Sequence, residues 1–293
     1  MSNEPVTGSP PVVLAFAPSD PSGGGGLQAD LLTLASMGCH ALTVVTAITV
    51  QDTTGVEGVL PMEAEWVADQ ARCLLEDMPV DAFKIGALGS VENIAAIAEI
   101  LADYPDVPLI LDPALSSGRG DAQAADAMRH ALRDLLLPQT TIATVNGHEL
   151  RLLAENDDEG ELTTADAAAR LCVSGCEFVL VTGTHDTSRE IVNTLYGKGG
   201  VVRTDSWARL PGPFAGAGVT LAAAIAATLA NGLEIADAVR EAQEFAWNAL
   251  RRAYRPGMGR FLPDRLFWAR EESEARGEDE AEPARPADVR DSH

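Results

Sequence analysis

Lysine is scarce in this chain of 293 residues: Lys84 and Lys198 are the two among 21 basic side chains, set against 44 acidic ones. The resulting net charge of −23 is not confined to one end, although residues 271–293 alone hold nine acidic and three basic residues. Such a surface repels polyanions, so no nucleic acid and no membrane surface is expected as partner, and a small-molecule role is favoured. Long apolar runs are missing as well. None reaches the roughly 18 residues of a membrane span, and residues 1–10 lack the basic start and apolar centre of a secretory leader, so a cytoplasmic location is expected. Cysteine is limited to Cys39, Cys73, Cys172 and Cys176, irregularly spaced, which argues for reduced thiols and against a disulfide framework. Cys172 and Cys176 suit one helical face and a metal, but with no histidine nearby a packed helix end before Gly175 accounts for them better. The acidity fits a high-salt cytoplasm or the arginine codons of a GC-rich genome equally well.

What is present is core. At 46% hydrophobic residues the chain can bury one large α/β domain. It is expected over 12–269, between a disordered N-terminus (1–11) and an acidic disordered tail (270–293). Residues 12–17 form a continuous apolar run that feeds a Pro- and Gly-rich loop, and a helix follows with Leu27, Leu31, Leu34 and Ala35 on its inner face and Gly38 at its end. Strands at 41–50, 82–85, 109–112, 141–145 and 178–182 alternate with helices at 64–75 and 91–101 and with further helical sequence. That alternation predicts a mainly parallel sheet covered on both faces, with ligands at the carboxyl ends of the strands. A hairpin (191–196 and 201–204) and two long helices (218–230 and 235–252) close the domain.

Polar residues collect at those strand ends: Asp20 and Asp30 around the first loop, Gln51, Asp112, Asn146 and Glu149. Gly216, Ala217 and Gly218 precede an alanine-rich helix, where unpaired N–H groups and the dipole suit an anion such as phosphate. Each has a plainer reading as a helix-solvating charge, a strand end, a turn or a tight helix contact. Their shared placement is the stronger signal.

The segment Asp20-Pro21-Ser22-Gly23-Gly24-Gly25-Gly26-Leu27-Gln28-Ala29-Asp30 resembles the first-loop signature of the hydroxymethylpyrimidine and phosphomethylpyrimidine kinases of thiamine synthesis, ribokinase-like enzymes, with Gly25 where alanine is usual. Thr46 to Thr53, Lys84-Ile85-Gly86, Leu111-Asp112-Pro113 and Leu136-Leu137-Pro138 continue the match in order over about residues 12–265. The resemblance implies a three-layer α/β sandwich and Mg2+-assisted transfer of a phosphoryl group from ATP to hydroxymethylpyrimidine and to its monophosphate. It implies that Gln51 binds the pyrimidine beside Pro18, Asp20, Asp30 and Ala87. Asp112, Asn146 and Thr182 fall on the nucleotide side, Glu149 acts on the metal through water, and residues 216–218 form the anion hole. It also implies a homodimer.

Departures from the family pattern converge on the acceptor. Val219 stands where these kinases place a cysteine and other ribokinase-like enzymes an aspartate, the group that takes the hydroxyl proton. Pro18 replaces a glycine and Ala87 a methionine, whereas on the mostly retained phosphate and metal side Val145 replaces the proline before Asn146. Three readings follow: a kinase that is slow or has an altered acceptor, a degenerate relative that binds a pyrimidine or nucleotide as a sensor or interaction protein, and a pyridoxal-type kinase.

Overall fold

The computed structural model describes residues 8–115, 122–154, 162–183 and 188–270. Most of the two ends expected to be disordered therefore lies outside the described residues. Strands β1 (Val12–Ser19), β2 (His40–Gln51), β3 (Val56–Pro61), β4 (Ala82–Ile85), β5 (Leu109–Leu111), β6 (Ile142–Asn146), β7 (Phe178–Thr182), β8 (Glu190–Gly197) and β9 (Gly200–Ala208) form one sheet in the order β3-β2-β1-β4-β5-β6-β7-β8-β9. The run from β2 through β7 is parallel, and β3, β8 and β9 are antiparallel additions at its two edges.

Continuous apolar strands are explained by two covered faces. On β1, Leu14 and Phe16 join the core beneath α2 (Ala64–Asp77), α3 (Val91–Leu101), α4 (Ala122–Ala131), α5 (Gly147–Ala154) and α6 (Thr164–Val173). Val13, Ala15 and Ala17 face the other way, onto α1 (Gly26–Ser36), α7 (Ala217–Ala230) and α8 (Ile235–Arg251). Helix α7 is apolar all round because it is wrapped: Ala222, Ala223, Ala224, Ala226 and Ala227 are fully buried between the sheet, α1 and α8. Its small side chains permit close approach to β4 and β5, and its first turn lies beside Asp112, which follows β5.

Two expectations are corrected. β3 does not appear in the sequence reading; Asp52 makes the turn into it by accepting from the Thr54 and Gly55 N–H groups through Oδ1. The inner face of α1 is Leu27, Ala29, Asp30, Thr33 and Leu34, whereas Leu31 and Ala35 are exposed. Periodicity alone misplaced that face because it could not foresee a buried aspartate on it. The four cysteines are free, and no helix among the described residues is long and apolar enough to cross a membrane.

Candidate active site

The first loop is organised by Asp20, which is 1% exposed. Its Oδ1 accepts from the Ser22 N–H at 2.8 Å and the Ser22 hydroxyl at 2.7 Å, and its Oδ2 accepts from the Gly25 N–H at 2.7 Å and Gln51 Nε2 at 3.0 Å. A carboxylate only accepts, so the Gln51 amide must turn its NH2 toward Asp20 and its carbonyl oxygen away. Pro18, with no N–H, sits where the β1–β2 pairing slips from Ala17↔Val45 to Ser19↔Ile48. Its carbonyl oxygen would stand 2.2 Å from a Cβ on Gly26, whose φ is +56°, so only glycine can turn the loop into α1 there. Half-buried Ala87 follows β4 and holds the Thr46 hydroxyl on its carbonyl at 2.8 Å.

Opposite the loop is the start of α7. Gly216 is left-handed (φ +73°), and a Cβ on it would fall 1.7 Å from the Gly24 carbonyl oxygen, so loop and helix meet backbone to backbone. The Thr220 N–H makes the first helical bond, to Gly216 O at 2.9 Å, which leaves the preceding N–H groups without helical partners, with Gly218 exposed. Asp112 Oδ2 lies 3.9 Å from the Cβ position of Gly218, and Val219 Cγ2 lies 3.9 Å from that of Gly25. A helix end whose first N–H groups lack helical partners thus stands between the glycine loop and a buried carboxylate.

Asn146 and Glu149 meet as a reciprocal pair. Asn146 Oδ1 accepts from the Glu149 N–H at 3.0 Å, while Glu149 Oε2 accepts from the Asn146 N–H at 3.1 Å. This is a capping box that starts α5, a structural role the spacing also carries and the sequence reading passed over. Thr182, at the end of β7, donates to Val145 O at 3.4 Å.

Beneath these groups lies a charge cluster that sequence reasoning largely missed. Lys84, fully buried on β4, places Nζ 3.0 Å from Asp30 Oδ1 and 3.1 Å from Oδ2. Asp30 is therefore under the site rather than lining it, and burial raises its carboxyl pKa although Lys84 opposes that. Asp112 is pushed up to about 6, chiefly by burial; Lys84 lowers it, and Glu149 and Asp30 raise it. Arg265, 3% exposed, reaches the first loop and α7 from the C-terminal segment. A lone lysine inside an apolar strand was the available signal for the first of these, because a buried cation needs a partner. Arg265 carried none in its local sequence.

A mainly parallel α/β sheet with helices on both faces and a glycine loop facing a helix start defines a ribokinase-like fold, which Staphylococcus aureus pyridoxal kinase shares. That structure, known in complex with pyridoxal, matches with a TM-score of 0.80 at 26% identity, covering 90% of this chain and 96% of that one. A phosphomethylpyrimidine kinase from Clostridium difficile matches at 0.69 and 31% identity, over 82% and 99%. The hydroxymethylpyrimidine/phosphomethylpyrimidine kinase of Streptomyces coelicolor is 37% identical over 261 residues, 87% of this chain and 93% of the relative. Residues 20–264 fit the family model for phosphomethylpyrimidine kinase, and the chain belongs to that family.

Proposed function

We propose that the protein transfers the γ-phosphoryl group of ATP to the hydroxymethyl oxygen of hydroxymethylpyrimidine and then to the monophosphate so formed, as a step of thiamine synthesis. The observation that carries this reading is the exposed start of α7 facing the Asp20–Gly25 loop, with the Gln51 carbonyl oxygen turned away from Asp20 to meet an exocyclic amine. Phosphoryl transfer is governed by positioning and charge stabilisation, so the backbone donors of 216–218 supply the main catalytic effect. ATP as donor is supported by the S. aureus pyridoxal kinase, known in complex with ADP and with AMP-PCP.

The donor set fits Mg2+. Glu149 disfavours the charged form of Asp112, and a divalent cation relieves that repulsion. No group of three or more metal-ligating side chains occurs among the described residues, which agrees with a hard cation held largely by water and phosphate rather than by a protein cage. Bound Mg2+ supplies charge neutralisation at the phosphates. Glu149 would hold its water, Asp112 would lie beside it, and Asp30 would act at one remove through Lys84.

Val219 supports a second reading, a relative that binds pyrimidine or nucleotide without turnover, since its methyl faces Gly25 where a proton acceptor would otherwise stand. Loss of a general base costs about 10²- to 10⁴-fold, which leaves slow turnover intact. The pyridoxal-type reading draws on the higher backbone overlap with pyridoxal kinase, but sequence identity runs the other way, and identity tracks site chemistry more closely than strand placement does. Purified protein with Mg-ATP and hydroxymethylpyrimidine should form phosphopyrimidine. Nucleotide binding without product would establish the sensor reading instead, and product from pyridoxal alone the third.

A cytoplasmic homodimer completes the proposal. The exposed pair Ile48 and Leu60, opposite each other on β2 and β3, with Val50 beside Ile48's strand position on the same face, gives an apolar surface suited to a second copy. Sedimentation of wild type against Ile48→Arg tests it, with loss of the dimer expected.

A further inference from the structure

The guanidinium of Arg265 spans two elements that the reaction needs at a fixed separation. Nη1 donates to Gly23 O at 3.1 Å, Nη2 to Gly24 O at 2.7 Å, and Nε to Thr220 Oγ1 at 3.1 Å. The Thr220 hydroxyl passes the contact on, donating to Gly216 O at 2.8 Å. One side chain thus grips the glycine loop through two carbonyls and the start of α7 through a hydroxyl.

A peptide unit is planar, so fixing its carbonyl fixes its N–H. The Gly24 carbonyl held by Arg265 belongs to the same peptide unit as the Gly25 N–H, which donates to Asp20 Oδ2, and that same oxygen receives Gln51 Nε2. The chain of contacts runs from Arg265 through the 24–25 peptide and Asp20 to the Gln51 amide. On its other side it runs through Thr220 to Gly216.

The cost of this arrangement argues for a use. Arg265 forms no ion pair among those seen in the described residues, its hydrogen bonds going to neutral carbonyls and a hydroxyl, and burial pulls its pKa down to about 10 even though Asp30, Tyr254 and Asp20 act in the opposite direction. A cation also sits badly near a helix N-terminus, where the dipole is already positive, unless an anion is to be received there. Packing alone would be served by an apolar side chain.

We propose that Arg265 is a positioning residue for phosphoryl transfer, holding the acceptor-binding loop and the anion-binding helix start in one geometry so that pyrimidine orientation and phosphate placement are set together. It lies one residue beyond the span matched by the family model. The proposal rests on the kinase reading for its kinetic consequence and on the loop contacts for its structural one, and the two are tested separately.

Lysine cannot reproduce the planar fork, so Arg265→Lys keeps charge and much of the bulk while losing the simultaneous grip. In the full chain this variant should lower kcat by about 10²-fold, the scale of a misplacement of about 1 Å, with a smaller rise in KM for Mg-ATP. Amide hydrogen exchange, read without substrate, should quicken about tenfold or more at Gly25 while core amides such as Leu14 stay as in wild type. Unchanged Gly25 exchange, or unchanged kcat in a folded variant of an active enzyme, overturns the proposal. If wild type shows no turnover, the kinase reading falls by itself and the exchange result still decides the coupling. Should Arg265→Lys fail to fold, Thr220→Val removes only the α7 anchor: kcat should fall and exchange at the Thr220 amide, which donates to Gly216 O, should quicken while Gly25 stays as in wild type, and no change in either overturns the proposal.

Discussion

The Val219 Cγ2 methyl stands 3.9 Å from the point that a Cβ on Gly25 would occupy, and that point is 3.5 Å from Asp20 Oδ2. The residue proposed to stand at the base position and the first-loop Gly25 therefore face each other across the proposed site. A thiolate at 219 would sit near the loop without a steric demand beyond that of valine. Val219→Cys should raise kcat about tenfold or more with little change in KM, because proton acceptance matters in the transition state. Val219→Asp should gain less, since its carboxylate would meet Asp20 across Gly25. Steady-state kinetics decide it, and equal rates for all three proteins would remove Val219 from the mechanism.

The Lys84–Asp30 pair should behave as one unit. Lys84→Met leaves an uncompensated carboxylate with both side chains at 0% exposure, and a loss of about 3–5 kcal/mol is expected in urea unfolding. Adding Asp30→Asn should return about 0.5–3 kcal/mol of that, the range of coupling for residues in contact. Additive losses would show the two to be independent.

Asp112 makes the free chain pH-dependent in a defined direction. Its carboxyl rises from an ordinary 3.8 to about 6, so between these values the folded state keeps a proton that the unfolded state has released. Stability from this group is therefore lost as pH rises from about 4 to about 6, then stays lower above that, by at most about 3 kcal/mol. Asp112→Asn should melt higher than wild type at pH 7 and no higher near pH 4, while turnover falls. Thermal melts in metal-free buffer measure the first part.

Glu149→Gln separates capping from metal chemistry. Glutamine can still accept from the Asn146 N–H, as Glu149 Oε2 does at 3.1 Å, so the fold should change by a few tenths of a kcal/mol at most. If the carboxylate serves Mg2+, the magnesium concentration for half-maximal activity should rise about tenfold or more. A shift in melting without a shift in magnesium dependence would assign the residue to capping alone.

The alternation of apolar strands and helices was legible because both faces of the sheet are buried, and the first-loop turn and the glycine start of α7 were legible because each depends on neighbours within a few residues. What escaped was tertiary. Asp30 reads as a carboxylate beside the substrate until Lys84, 54 positions away, is seen against it. Asn146 and Glu149 read as a metal element, although their spacing also spells a capping box. β3 is short and mostly exposed, and its Val-Glu-Gly-Val-Leu-Pro run carries too little apolar patterning to announce a strand. Arg265 acts through carbonyls of Gly23 and Gly24, more than 240 positions away, where backbone groups leave no mark in sequence.

Strand order gives the departures at Pro18, Ala87 and Val219 a setting. Pro18, Gln51 and Ala87 belong to β1, β2 and the end of β4, adjacent on one side of the sheet, while Asp112, Asn146 and Thr182 follow β5, β6 and β7, adjacent on the other. The two halves meet between β4 and β5, one strand beyond the β1–β4 boundary at which the chain, having run outward from β1 to β3, crosses back. On the proposed assignment, substitutions at the ends of β1 and β4 and at the start of α7 revise the accepted molecule while the ends of β5 to β7 stay as they are, which makes this architecture a ready source of new specificities from an old donor chemistry.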